Sequence, residues 1–176
     1  MKTLLTEDQL KQGIVQLAEK IQAHYQGKPL TIVGVMIGSV VLLADLIRLL
    51  KIPLRVELVQ ARSDHNGTRP GPMVINTDLI SGNIQGRDVL LIDDIFDTGH
   101  TLWELIPQID ELGPSSIRTA VLLRKIGQCK LDLKPDFICF DIPNAFVVGY
   151  GLDYLDLYRN LRYIAVLEPS DMKDKK

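Results

Sequence analysis

Val89-Leu90-Leu91-Ile92-Asp93-Asp94-Ile95-Phe96-Asp97-Thr98-Gly99-His100-Thr101-Leu102 is the stretch that decides the fold. Four consecutive apolar residues, Val89 to Ile92, read as a buried strand. Two adjacent carboxylates follow where that strand should end, at the edge where open parallel sheets bind their ligands. Asp97-Thr98-Gly99-His100-Thr101 then leads into a helical pattern. Backbone N–H groups at such a helix start, helped by threonine hydroxyls, form a nest for a phosphate. Carboxylates beside a phosphate nest repel an anion unless they hold sugar hydroxyls or a divalent cation. A phosphorylated sugar carrying Mg²⁺ satisfies both halves of the stretch.

On either side of this stretch, strand and helix patterns alternate. Thr6-Glu7-Asp8-Gln9 has the capping-box form, and Leu10, Ile14, Leu17, Ala18 and Ile21 follow at helical spacing, which predicts a helix from about Glu7 to Tyr25. Leu30 to Met36 reads as a strand, Gly38-Ser39 opens a second helix to about Lys51, and Leu54 to Ala61 is a further strand. Arg62 to Pro72 has no apolar residue and is rich in Gly and Pro, so an exposed, mobile loop is expected there, with a return strand from Met73 to Ile80. The central strand, Asp88 to Asp94, feeds a helix from His100 to about Leu112, with a kink or restart expected at Pro107. Ser116 to Arg124, Phe137 to Asp141 and Tyr163 to Glu168 complete the strands, and only Asp171 to Lys176 reads as a frayed polar tail. The alternation predicts one α/β domain over 1–176, a doubly wound, mostly parallel sheet flanked by helices.

Composition excludes several function classes. With 20 Lys+Arg against 22 Asp+Glu there is no basic excess to bind nucleic acid. The first residues lack the apolar run of a signal peptide, and apolar runs such as Val40 to Leu43 are too short to span a bilayer. Cys129 and Cys139 show no metal-ligand spacing and are expected as free thiols. The expectation is a cytoplasmic globular protein with no nucleic-acid or membrane partner.

Two separate parts of the chain resemble one family. The stretch from Val89 to Leu102 resembles the phosphoribosyl-diphosphate signature of type I phosphoribosyltransferases. Lys134-Pro135-Asp136-Phe137, Asp141-Ile142-Pro143 and Phe146-Val147-Val148-Gly149-Tyr150-Gly151-Leu152-Asp153-Tyr154 resemble the purine-recognition end of the hypoxanthine-guanine members. The resemblance runs roughly from Ile32 to Glu168 and implies that fold, with a small hood built from the terminal segments. It implies transfer of a phosphoribosyl group from phosphoribosyl diphosphate to hypoxanthine or guanine, with Mg²⁺ as cofactor and a homodimer or homotetramer as assembly. A preference for xanthine or another base, or a regulator that binds nucleotide without turnover, are the competing readings.

By this resemblance Asp93 and Asp94 take the ribose hydroxyls, directly or through Mg²⁺, and Thr98, Gly99, His100 and Thr101 wrap the 5′-phosphate. Asp97 faces the purine N7 as proton acceptor. Burial among other acids would raise its proton affinity, while an N-cap is its plainer use. Lys125 contacts the purine O6, Phe146 stacks on the ring, and Val147 reads its edge through backbone groups. Ile37 and Gly38 belong to the diphosphate loop, Arg159 meets the diphosphate with its planar fork, and Asp153 joins Asp93 and Asp94 as a metal ligand. Three positions depart from the family: Asp93 where Glu is usual, Ile37 where Lys or Arg is usual, and Asp64 after Ser63 where Tyr is usual. A cis peptide between Met36 and Ile37 is also implied.

Overall fold

The computed structural model describes residues 1–60, 80–168 and 170–171, with the backbone of Arg62–Ser63 and Met73–Val74. In chain order the elements are β1 (Lys2–Leu5), α1 (Glu7–Tyr25), β2 (Leu30–Met36), α2 (Val40–Leu49), β3 (Leu54–Gln60), β4 (Arg62–Ser63), β5 (Met73–Val74), a 3₁₀ turn (Ser81–Asn83), β6 (Asp88–Phe96), α3 (His100–Asp110), β7 (Ser116–Lys125), β8 (Phe137–Ile142), β9 (Val147–Val148) and β10 (Ile164–Val166). Five strands form a parallel sheet in the order β3-β2-β6-β7-β8.

The apolar strands are buried on both faces, as parallel sheets require. Leu30, Ile32, Leu90, Ile92, Ala120 and Leu122 pack with α1 and α2 on one face. Val33, Val35, Val89, Leu91 and Val121 pack with Leu102, Leu105 and Ile109 of α3 on the other. Each fully buried Leu or Ile contributes roughly 1.5–3 kcal/mol by leaving water. The capping box forms at α1: the Thr6 hydroxyl accepts from Gln9 N at 3.2 Å, and Gln9 Oε1 accepts from Thr6 N at 2.8 Å.

The chain runs outward from β2 to β3 and returns to β6 on the other side of β2. The order therefore reverses between β2 and β6, the place where such sheets open a crevice at their carboxyl edge. The loop after β2 and the acidic pair on β6 both lie there.

A second, antiparallel sheet, β1-β10-β9, joins the two ends of the chain and forms the hood. Several expectations need correction. The restart at Pro107 does not occur: the helix runs from His100 to Asp110, and the proline's missing N–H leaves one carbonyl, that of Trp103, without its intrahelical donor. Arg62–Ser63 is not loop but a short strand paired with Met73–Val74, and the rest of the expected loop lies outside the described residues. The central strand runs to Phe96, two residues past its expected end at Asp94, so Asp93 and Asp94 sit within it and not at its end.

Candidate active site

Seven of the expected residues line one cavity of about 380 Å³ at the carboxyl edge of the sheet: Ile37, Gly38, Asp93, Asp94, Thr101, Asp153 and Arg159. That volume falls among small-molecule sites, typically about 300–1,000 Å³. Gln60 and Ile95 also line it and were not foreseen. Gln60 is the last residue of β3 and pairs in register with Met36, so its only sequence signal is a strand-end position beside the loop that follows β2.

Asp93 is 6% exposed, and one of its carboxylate oxygens accepts from Asp94 N at 2.9 Å. Asp94 Oδ1 accepts from Ile95 N at 2.7 Å. Burial, and then the neighbouring Asp94, push the Asp93 carboxyl well above the usual carboxylate range. Burial also raises Asp94, against the backbone bonds it accepts. A carboxyl raised in the folded state costs stability as pH climbs and it ionises. A ligand that gives the pair hydroxyl or cation partners offsets that cost.

Gly38 lies directly on this pair, since a Cβ there would fall 1.5 Å from Asp94 Oδ2. The Met36–Ile37 peptide is cis, and Ile37 is 48% exposed at the rim. Opposite them, Arg159 pairs with Asp153 at 2.8 Å and donates to the Gly151 carbonyl at 2.8 Å. The cavity thus offers three carboxylates and one guanidinium. Such an all-oxygen donor set suits a hard cation such as Mg²⁺. Among the described residues, however, no three His, Cys, Asp or Glu side chains gather closely enough to hold a metal by themselves.

The segment expected to wrap the phosphate, Thr98 to Thr101, lies at the start of α3. Gly99 is the N-cap at φ +86 with no side-chain cap bond, so Asp97 does not cap this helix. A Cβ on Gly99 would stand 2.9 Å from Cys129 Sγ and 3.1 Å from the Phe96 ring. Both conformation and packing therefore demand glycine here. Gly99→Ala is expected to cost about 2 kcal/mol, through left-handed strain and overpacking. In a protein of this size that lowers the thermal midpoint by roughly 4–8 °C. An unchanged midpoint would mean that Cys129 and Phe96 yield freely. Thr98 and His100 are exposed and Thr101 is half-buried, so their polar groups remain open to a ligand.

Asp97 was expected to be buried among acids. Its side chain is instead 41% exposed and forms an ion pair with Lys125, Oδ2 to Nζ at 2.6 Å. β6 and β7 lie side by side in parallel, so two groups 28 residues apart meet at one sheet edge. Lys125 is 11% exposed and lines a neighbouring cavity with Phe96, Ile126, Cys129 and Leu133. Phe146 and Val147 line neither cavity. Phe146 is 44% exposed and meets Tyr154 edge-on at 5.6 Å, which leaves ring surface open and removes its plainer use as core. Val147 is buried in β9 and held through its backbone in the hood sheet. Ser63 and Asp64 cannot be placed beside the site, since their side chains lie outside the described residues. Both cysteines are free thiols, as expected.

The parallel sheet carries an acidic pair, a glycine-capped helix start and an arginine at its reversal point. The chain belongs to the phosphoribosyl transferase domain family, whose model matches residues 1–155. It is similar to the hypoxanthine-guanine phosphoribosyltransferase of Staphylococcus aureus, 38% identical over 96% of this chain and 94% of that protein. It also matches the bifunctional protein TilS/HprT of Listeria innocua at 38% identity over 96% of this chain, of whose length it spans only 26%. Among solved structures, a ternary substrates complex of hypoxanthine phosphoribosyltransferase from Trypanosoma cruzi superposes with a TM-score of 0.87, at 36% identity, covering 97% of each chain. No helix among the described residues is long and apolar enough to cross a membrane.

Proposed function

We propose that this protein is a purine-salvage enzyme that transfers the phosphoribosyl group of phosphoribosyl diphosphate to hypoxanthine or guanine, giving IMP or GMP and diphosphate. The observation that carries the reading is the single cavity that gathers Asp93, Asp94, Thr101, Asp153 and Arg159 at the carboxyl edge of the sheet. Relatives with that activity support it. The proposal takes 1–176 as one phosphoribosyltransferase domain, in the cytoplasm, as a homodimer or homotetramer without nucleic-acid or membrane partners.

In this reading the purine N9 bonds to C1 of the sugar as the C1–O bond to diphosphate breaks, with the bonding pair leaving on diphosphate. The proton on N7 passes to Asp97. Lys125, which holds Asp97 as a carboxylate partner in the free protein, contacts the purine O6 and stabilises charge that gathers there. Phe146 stacks on the base and the Val147 backbone reads its edge. Asp93 and Asp94 hold the ribose hydroxyls, and the nest from Thr98 to Thr101 holds the 5′-phosphate. Mg²⁺ entering with phosphoribosyl diphosphate would be held at Asp93, Asp94 and Asp153 and would neutralise charge on the leaving group. Arg159, Gly38 and the peptide groups beside Ile37 hold the diphosphate.

Steady-state rates with hypoxanthine, guanine, xanthine and adenine test the proposal. IMP and GMP formation is expected, with adenine inert. Faster turnover of xanthine would replace the base assignment, and nucleotide binding without turnover would make the protein a regulator.

Ile37 supplies a second test. Ile37→Lys places a cation at a half-exposed rim position and should tighten phosphoribosyl-diphosphate binding by about 1 kcal/mol. Release of diphosphate should slow, because a charge that binds substrate and product alike need not raise kcat. Titration of both variants with the Mg²⁺ complex decides it. Equal or weaker binding in the Lys variant would place side chain 37 away from the diphosphate.

A further inference from the structure

The loop that carries Asp153 and Arg159 is fastened to α2 by a contact between side chains 105 residues apart. Tyr150 lies two residues past β9 and is 7% exposed. Its hydroxyl donates to Asp45 Oδ2 on α2, while Asp45 Oδ1 accepts from Arg48. Burial and this carboxylate neighbour keep the phenol protonated far above its ordinary range.

Beside this contact the backbones stack without room for side chains. A Cβ on Gly151 would stand 2.1 Å from the Gly38 carbonyl oxygen, and one on Gly38 would stand 1.5 Å from Asp94 Oδ2. Hood loop, diphosphate loop and acidic strand therefore touch in sequence. The hood loop is itself tied across its base: Tyr150 N donates to Leu161 O at 2.9 Å and Gly151 N to Arg159 O at 3.0 Å. Arg159 Nη1 returns to Gly151 O at 2.8 Å. Asp153 and Arg159 consequently move with Tyr150 and Gly151.

We propose that Tyr150 and Asp45 are positioning residues for phosphoribosyl-diphosphate binding: their contact seats Gly151 on Gly38 and so sets Asp153 and Arg159 across the cavity from Asp93 and Asp94. This inference rests on the reading that the cavity takes the diphosphate end of that substrate. A buried ring used only as filling would lose nothing on becoming Phe, which separates the two roles.

Calorimetric titration with Mg²⁺-phosphoribosyl diphosphate, together with steady-state kinetics, tests it. Tyr150→Phe should raise Kd and KM for phosphoribosyl diphosphate about tenfold, the loss of one hydrogen bond to a charged acceptor. KM for the base and kcat should stay within about twofold, because neither depends on the diphosphate contacts alone. Asp45→Ala should match it, Asp45→Asn, which keeps an acceptor oxygen, should recover most of the loss, and the double variant Tyr150→Phe/Asp45→Ala should be no worse than either single one. Should Asp45→Ala fail to fold, Tyr150→Phe and Asp45→Asn carry the test. Unchanged binding in Tyr150→Phe, equal weakening toward both substrates, or additive losses would overturn the positioning role while leaving the cavity assignment intact. Failure of the unmodified protein to bind phosphoribosyl diphosphate would overturn the cavity assignment as well.

Discussion

Asp97→Asn should bind phosphoribosyl diphosphate normally yet turn over about 10²–10⁴-fold more slowly, the usual contribution of a positioned acid–base group. Asp97 stands just past β6, between the acidic pair and the phosphate nest, and is open enough to meet a substrate. It does not cap α3, so the plainest structural use of an aspartate at this position is gone. The amide keeps size and shape but cannot take the purine proton. It also leaves Lys125, largely buried, without its carboxylate partner, and removal of one partner from such a pair costs stability. Binding of phosphoribosyl diphosphate serves as the control for that loss, because Asp93, Asp94, Asp153 and Arg159 line the other cavity. Near-normal kcat would show that Asp97 serves only to hold Lys125.

Turnover should fall more than about 100-fold on chelation and return with added Mg²⁺, while dialysed protein retains no stoichiometric metal. The proposed diphosphate cavity presents Asp93, Asp94 and Asp153 against Arg159, and Ile37 stands where a basic residue is expected from the resemblance. Arg159 is already engaged by Asp153 at 2.8 Å. One unit of like charge at about 4 Å costs roughly 4 kcal/mol at an effective dielectric of 20, nearly a thousandfold in binding. Among the described lining residues Arg159 is the one cation, so a polyanion is expected to bring a divalent cation with it. Mg²⁺ shares substrate phosphates readily and is poorly held by dispersed carboxylates alone. Elemental analysis after dialysis against a chelator checks the second half, and stoichiometric metal surviving it would overturn the account. Full activity under chelation would overturn the first half.

The reading of the sequence succeeded wherever one segment carries its own signal. The helix at Glu7–Tyr25 was legible because its cap and its apolar period lie within the segment itself. The strand at Leu30–Met36 and the acidic pair on β6 were legible for the same reason, since strand and carboxylates are contiguous. The hood was legible only through resemblance. β1 and β9 are four and two residues long, and each becomes a strand only because β10 lies between them.

What the sequence by itself determined is which residues are available at the carboxyl edge, because period and turn chemistry act within a few residues of one another. Which of them meet was decided by the tertiary structure. Strand order brought Lys125 to Asp97 and turned an expected buried acid into an ion pair. The register of β2 with β3 delivered Gln60 to the cavity beside Met36 and Ile37. Packing of the hood on α2 joined Tyr150 to Asp45. Each of these contacts closes a long stretch of chain, and its energy depends on the geometry of two elements whose separate sequences say nothing of their neighbour.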